Sequence, residues 1–215
     1  LLNCGFRIPA SAGTDCFLNR VPGRVPGEDR VYVKVEEGFT YQNWIKNLKQ
    51  GRTFVTNGPV LEFTVEGRRA GDTIALTGPE NLQGQGTVSS QYPIQKVEFI
   101  LNGSVVDGIE VEGGSRTVTL DQSVSVQEGG WLAVRAYGPP NPAQGGKPFF
   151  CHSGPIYLEV DGKGAASAED AQYFLGWIDR LWSEIEERDR ILPRHRAEVE
   201  AEIEQARGVY RQLAN

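Results

Sequence analysis

The chain has 215 residues, 39% of them hydrophobic and 23% charged, so it is unlike a disordered chain and long enough to bury a globular core. Its net charge of −6 argues against a nucleic-acid partner, which needs a basic surface. No apolar run approaches the roughly 20 residues that span a bilayer.

The chain begins with the sequence LLNCG, without an initiating Met or a signal peptide. We interpret this start as a fragment or a processed product. Leu1 to Gly27 is irregular in composition: Gly5 can end a short helix, and Pro22 to Gly27 is predicted to be a loop. Residues 1–59 are predicted to be the end of an upstream domain and a joining helix.

Three cysteines, Cys4, Cys16 and Cys151, are too few and too widely spaced to predict a zinc cluster. The simpler interpretation is that they are small buried side chains. A disulfide between Cys4 and Cys16 remains an alternative.

The stretch from Phe39 to Pro59 is predicted to be a short amphipathic helix followed by a strand. Thr40 is a good N-cap residue, apolar side chains then recur at three- to four-residue spacing, and Gly51 can end the helix. Thr53 to Thr56 is a β-prone run, which an Asn-Gly-Pro sequence breaks. This stretch therefore joins what precedes it to a β domain.

Residues 60–163 show the period-two alternation of β-strands, separated by turn residues such as Asn102-Gly103. About seven or eight short strands without intervening helices predict an immunoglobulin-like β-sandwich, with a barrel as the alternative. A Pro/Gly loop is predicted from Gly138 to Pro148. The predicted strands, including one before the joining helix, are Val31–Val35, Val60–Val65, Asp72–Leu76, Gly86–Ser90, Lys96–Leu101, Val105–Ile109, Arg116–Val126, Trp131–Tyr137 and Phe149–Val160.

Residues 164–215 are predicted to form a C-terminal αα-hairpin. Ser167 can cap the first helix, whose apolar stripe runs from Phe174 to Ile185. A second stripe runs from Val199 to Leu213, and Pro193 separates the two. The stripes indicate either a homo-oligomer through this helical tail or, more simply, packing against the chain's own β domain or an upstream domain.

Five stretches together resemble one enzyme family. They are LLNCGFRIP, AGTD at residues 12–15, RVYV at residues 30–33, FTYQNWIKNLKQGRTFVTNGP and CHSGPIYLEV. The chain resembles the C-terminal part of the carbaryl-hydrolase-like branch of the PHP (polymerase and histidinol phosphatase) metallohydrolases over most of its length. The resemblance implies a mainly β chain with α elements: a remnant of an α/β barrel end, a β-sandwich and a helical tail.

The resemblance also implies one metal ligand. In that family the barrel binds divalent metals, and the Asp of a GTD motif, here Asp15, is one of the ligands. The family's His-x-His pair has no counterpart, since the only histidines are His152 and His195. The implied cofactor is a divalent metal in the full-length parent, with none expected in this fragment. The implied partners are an upstream PHP-like domain and a small-molecule substrate.

Three further residues are candidates for a cleft or a domain interface: Arg52, Asn57 and His152. Arg52 can fix the joining helix to the strand after it, and Asn57 can serve the turn, so structural roles are favoured for both. His152 is a candidate cleft residue, although a hydrogen-bonded histidine at a strand end is the simpler interpretation.

The sequence therefore predicts the C-terminal accessory region of a metal-dependent hydrolase, inactive as this fragment. The alternative is a free-standing β-sandwich module that binds a carbohydrate or a protein. Trp131, Tyr137 and the Gly138–Pro148 loop would then form its binding surface.

Overall fold

The computed structural model describes residues 1–19, 24–142 and 145–214. The chain divides into two compact units. The helical unit comprises Leu1–Phe6 and Ala165–Asn215, and the two-sheet unit comprises Arg7–Gly164. The prediction of a mainly β chain with a C-terminal two-helix region is confirmed. The predicted domain limits at residues 59 and 163 stay a prediction.

The two-sheet unit consists of two β-sheets and one helix, α1 (Tyr41–Lys49). The larger sheet, sheet A, has the order β1-β2-β11-β10-β12-β5, with β7 and β8 added on the other side of β10. The smaller one, sheet B, has the order β4-β3-β6-β9. In chain order the strands are β1 (Arg30–Val33), β2 (Thr53–Thr56), β3 (Val60–Val65), β4 (Arg68–Arg69), β5 (Thr73–Leu76), β6 (Glu80–Ser89), β7 (Lys96–Leu101), β8 (Ser104–Glu110), β9 (Thr117–Val126), β10 (Gly130–Asn141), β11 (Lys147–Ser153) and β12 (Ile156–Val160).

One hydrophobic core is built from side chains of both sheets. Alternate residues of each strand point to the same face, so the period-two pattern of the sequence becomes one buried face per sheet. Phe99 of β7 is fully buried, and its ring meets that of Phe63 of β3 edge-on at a centroid distance of 5.8 Å. Sheet B contributes Leu61, Val65, Leu82, Val88, Leu120 and Val124, and sheet A contributes Val97, Leu132, Val134, Ile156 and Leu158.

The joining helix has the predicted start and end. The hydroxyl oxygen of Thr40 accepts a hydrogen bond from the Asn43 N–H at 3.1 Å, and Gly51 has a φ of 76° just after the helix. Strand β2 then pairs with both β1 and β11, which makes the joining segment part of sheet A.

Strand β6 is longer than predicted, because its first half looks like a turn in sequence. The strand runs from Glu80, whereas the sequence predicted Gly86–Ser90. Gly86, at the start of the predicted part, is required by close packing. A Cβ atom on Gly86 would lie 2.0 Å from the carbonyl oxygen of Glu62 on the neighbouring strand β3.

The predicted Gly138–Pro148 loop is wrong at both ends, since β10 continues to Asn141 and β11 begins at Lys147. The register of the β10–β11 pair shifts between Tyr137 and Pro140. This irregularity accommodates Pro139 and Pro140, which have no backbone N–H to donate. Residues 143–144 of that loop lie outside the described residues, as do residues 22–23 of the predicted Pro22–Gly27 loop.

The predicted strand Phe149–Val160 is two strands. Gly154 and Pro155 separate β11 from β12, because proline has no N–H for the ladder. The two strands pair with different segments of β10: His152 of β11 lies opposite Arg135, and Tyr157 of β12 lies opposite Trp131.

The helical unit contains a short 3-10 helix (Leu2–Cys4) and the two predicted helices, α2 (Ala168–Arg188) and α3 (Pro193–Leu213). Gly5 has a φ of 83° and ends the 3-10 helix, as predicted. The side-chain oxygen of Ser167 accepts from the Asp170 N–H at 3.1 Å and caps α2. The rings of Phe174 and Tyr210 stack at 5.1 Å and join the two helices.

Helix α2 also has an exposed apolar face at Tyr173, Trp177 and Leu181. Homo-oligomerisation through the helical tail stays a prediction. Among the described helices, none has the length and apolarity needed to cross a membrane. Cys4, Cys16 and Cys151 are free thiols in this structure. Cys4 and Cys16 belong to different units, so a disulfide between them stays a prediction.

Candidate functional site

Asp15 lies on an exposed turn that the buried side chain of Thr14 holds in place. The Thr14 hydroxyl donates to the Asp29 carbonyl at 3.0 Å, and it accepts from the N–H groups of Gly27 at 3.0 Å and Asp29 at 3.2 Å. Asp15 itself has a φ of 49°, in the left-handed region that few residues other than glycine adopt. The turn therefore fixes an unusual backbone conformation at a carboxylate-bearing residue.

Metal ligation by Asp15 stays a prediction. Residues 1–19, 24–142 and 145–214 contain no group of three or more His, Cys, Asp or Glu side chains arranged to hold a metal ion.

Asn57 ties the turn after β2 to strand β11. Its backbone N–H donates to the Phe150 carbonyl at 3.1 Å, its side-chain amide donates to the Pro148 carbonyl at 3.0 Å, and its side-chain oxygen accepts from the Phe150 N–H at 2.7 Å. These three bonds extend the β2–β11 ladder into the turn, which is a structural role.

His152 lies on the face of sheet A that points away from the core. Its neighbours Cys151 and Ser153 are buried, and adjacent residues in a strand point to opposite faces. Its Nδ1 atom is 2.6 Å from the Ser153 carbonyl oxygen. Burial lowers the pKa of the imidazole below its usual value of 6.5, and the positive charge of Arg135 lowers it further. The half-buried ring is therefore held largely in its neutral form at neutral pH.

Acid is expected to destabilise the chain partly through His152. Because the pKa of this residue is lower in the folded state, the unfolded chain binds the proton more readily as the pH falls below 6.5, and stability is lost. Urea unfolding followed by circular dichroism at about pH 7.5 and 5.5 measures this loss. The His152→Gln variant should lose less stability between the two pH values than the wild type.

The matched control is His195→Gln, which replaces a histidine whose side chain is 51% exposed on α3. It should show the same acid-dependent loss as the wild type. Equal losses in the wild type and in His152→Gln would contradict the pH effect assigned to His152.

A groove with a volume of about 470 Å³ lies at the open edge between the two sheets. Sheet A contributes β1 and β2 to its walls, and sheet B contributes β3 and β4. Tyr32 and Phe54 are register partners on β1 and β2, and their rings lie parallel, 3° apart, at a centroid distance of 4.8 Å. With Leu61 and Phe63 of β3, these rings form an apolar floor.

Five charged side chains border this floor: Lys34, Glu36, Arg52, Glu62 and Arg69. The Glu36 carboxylate accepts a hydrogen bond from Arg69, and this bond, with the positive charges of Arg69, Arg52 and Lys34, lowers the pKa of Glu36. Arg52 lies 3.9 Å from the same carboxylate. Three positive charges face two negative charges, so the rim of the groove keeps a small positive excess that favours an anion.

Arg52 is held at the rim by the end of helix α1. Its Nη1 donates to the Asn47 side-chain oxygen at 3.1 Å, and its backbone N–H donates to the Asn47 carbonyl at 3.1 Å. Asn47 is buried, so its side chain is held in place and can position the guanidinium group of Arg52. Arg52 thus links the helix to the strand and also forms part of the groove.

The predicted site residues do not form one site. Arg52 lines the groove, Asn57 lies at the turn after β2, His152 is on the outer face of sheet A, and Asp15 is on the turn before β1. Sequence reasoning did not identify the groove residues Tyr32, Glu36, Phe54 and Arg69 as a group. Only the alternation of Tyr32 and Lys34 on one strand face pointed towards it.

The binding surface predicted around Trp131 and Tyr137 stays a prediction, and the structure gives the burial of its residues. Only 9% of Trp131 is exposed, so its side chain cannot form much of a contact with a partner. Tyr137 is also half-buried within β10, and burial raises the pKa of its hydroxyl. Of the predicted loop beside them, residues 138–141 and 147–148 belong to strands.

Comparison of the chain with protein-family models, with curated proteins and with solved structures found no match.

Proposed function

We propose that this chain is the C-terminal accessory part of a metal-dependent hydrolase of the PHP superfamily, with an immunoglobulin-like sandwich following the end of a barrel. The observation that carries the proposal is the turn at Asp15. A buried threonine with three hydrogen bonds holds an exposed carboxylate residue in a left-handed conformation. Unusual backbone conformations that the surrounding structure enforces are concentrated at functional sites.

The segment around this turn supports the proposal, because it exposes apolar side chains. In the described residues between Arg7 and Asp29 there is no helix or strand. Leu18 is 87% exposed, and Ile8, Phe17 and Val25 are exposed as well. Exposed apolar side chains grouped in one segment are typical of a surface that another domain or protein covers. An upstream domain would bury them beside Asp15.

In this proposal, the upstream domain supplies the remaining metal ligands. A divalent metal bound there would lower the pKa of a coordinated water molecule and so provide a nucleophile for hydrolysis. Asp15 would contribute one carboxylate oxygen, and Thr14 would hold it in position. The sheets and helices of this chain would support the site without taking part in the reaction.

The test uses the product of a longer reading frame that includes residues upstream of Leu1. In that protein, Asp15→Asn is expected to lower metal affinity by about tenfold or more, since it removes a charged ligand. Metal content after dialysis, measured by mass spectrometry, and hydrolysis of model phosphoesters and amides are the two measurements.

The matched control is Asp161→Asn. Asp161 is exposed and has a φ of 51°, close to that of Asp15. Asp161→Asn therefore removes the same charge from the same backbone conformation, at a position outside the proposed site. Its metal content should equal that of the wild type. Full metal content in Asp15→Asn, or an upstream sequence without an His-x-His pair, would contradict the proposal.

A second candidate function is ligand binding by the two-sheet unit as a free-standing module. The groove between the sheets favours it, because an apolar floor bordered by a few charged groups is the usual composition of a small-molecule site. The binding residues would then be those of the groove, instead of Trp131 and Tyr137.

A further inference from the structure

We infer that the groove between the two sheets binds a small carboxylic acid with a flat apolar body. The inference rests on the second candidate function and names the ligand class. Three features of the groove carry it: the shape of the floor, the charges of the rim and the volume.

The floor favours a flat apolar group. The ring of Tyr32 is stacked on that of Phe54 and is 41% exposed, so it offers the groove a rigid, flat aromatic surface. Phe63 borders this surface from the opposite sheet, and Phe99 in the core holds its ring. Aromatic rings stack favourably on such a surface in an offset arrangement. A ring system lying between Phe63 and the Tyr32–Phe54 pair would be covered on both sides.

The rim favours a carboxylate. Glu36 already places a carboxylate against Arg69, which shows that a group of this size and geometry fits there. Arg52 is only loosely paired with the same carboxylate, at 3.9 Å, and Lys34 adds a further positive charge. Arginine pairs with carboxylates through two parallel hydrogen bonds. A ligand carboxylate between Lys34 and Arg52 would therefore balance the one positive charge that Glu36 and Glu62 together leave uncompensated.

The volume favours a small molecule. The groove of about 470 Å³ lies within the range of roughly 300–1,000 Å³ that small-molecule sites occupy. Lys34 and Glu36 follow Tyr32 at alternate positions, so the charged rim lies directly beside the aromatic floor. One compact molecule with an acid group attached to a ring system can therefore reach both.

The test compares indole-3-acetate with its neutral amide, indole-3-acetamide, on the full chain. The two compounds have nearly the same shape and differ in charge. Isothermal titration calorimetry gives the dissociation constants, and saturation-transfer NMR shows which ring protons contact the protein. The acid is expected to bind about tenfold more tightly than the amide, because the rim is positively charged.

Variants of the rim give effects of opposite sign. Arg52→Gln should weaken binding of the acid by about fivefold, since it removes a cation from the rim. Glu36→Gln should strengthen binding by about threefold, because it releases Arg69 and removes a competing carboxylate. Arg68→Gln is the matched control: Arg68 is the strand neighbour of Arg69, is exposed, and does not line the groove. It should leave the dissociation constant unchanged.

The aromatic floor is tested with Tyr32→Ala, which should weaken binding of the acid and binding of the amide by the same factor. Thermal unfolding of each variant shows whether it is folded. Equal affinity for the acid and the amide would overturn the carboxylate assignment and leave ligand binding in place. If the folded wild type binds neither compound at millimolar concentration, the ligand class and the second candidate function are both wrong.

Discussion

Phe99→Ala is expected to lower the free energy of unfolding by about 3 to 5 kcal/mol, the range for removing a large buried aromatic ring. Phe99 is fully buried in the core between the sheets, where its ring meets Phe63. The remaining cavity cannot close easily, because both sheets are held by their own hydrogen-bond ladders. Urea unfolding followed by circular dichroism measures the change.

The matched control for this substitution is Val105→Ala on strand β8. Val105 is 49% exposed, so its truncation should change the free energy of unfolding by about 0.5 kcal/mol or less. A stability of Phe99→Ala equal to that of the control would contradict the packing of sheet A on sheet B. Titration of Phe99→Ala with indole-3-acetate adds a second measurement, because Phe99 contacts the Phe63 ring that lines the groove.

Gly86→Ala is expected to lower the free energy of unfolding by about 3 kcal/mol, at the upper end for overpacking. Its Cβ atom would lie 2.0 Å from the Glu62 carbonyl oxygen, and backbone atoms cannot rotate away as a side chain can. Strand β3 must then move away from β6, where Gly86 is the register partner of Phe63. Thermal and urea unfolding measure the loss of stability.

Gly164→Ala is the control for Gly86→Ala. A Cβ atom on Gly164 would meet no atom within 4 Å, so stability should be unchanged. Since Glu62 and Phe63 also line the groove, Gly86→Ala should additionally weaken binding of indole-3-acetate. Unchanged stability of Gly86→Ala would mean that β3 and β6 are not paired in the described register.

Local sequence signals predicted most elements well. Thr40 and Gly51 mark the limits of α1, and the Asn102-Gly103 pair forms the turn of the β7–β8 hairpin with φ values of 51° and 88°. Val60–Val65 and Lys96–Leu101 are strands with the predicted limits. These signals succeed because caps, turns and alternation depend on residues that are close in the chain.

The errors occur where distant residues decide the outcome. Gly84 lies in the half of β6 that the sequence did not predict as a strand, yet it is closely packed there, since a Cβ atom on it would lie 3.0 Å from the Phe99 ring. The prolines after Tyr137 resemble a loop, yet they continue β10 at an irregularity in its pairing. In each case the pairing of strands outweighs the local preference, since β-propensity depends strongly on the tertiary context.

The same distinction between local and distant contacts applies to the candidate site. Alternation in the sequence correctly puts Tyr32 and Lys34 on one face. The position of Arg52 between the helix and the strand predicts that it links the two. The sequence does not indicate that Glu36 contacts Arg69, because the two residues are 33 positions apart: Glu36 follows β1 of sheet A, and Arg69 lies on β4 of sheet B. The groove therefore could not be predicted from either element alone.

By itself, the sequence determined the types of the secondary-structure elements, the alternating buried faces of the strands and the paired stripes of the C-terminal helices. Periodicity along the chain encodes these features directly, because each element exposes a repeating set of its own residues. Only the tertiary structure decided which strands are neighbours, where β10 ends and that β1, β2, β3 and β4 enclose a charged groove. A period of two specifies that a strand has two faces, and it carries no information about which distant strand lies beside it.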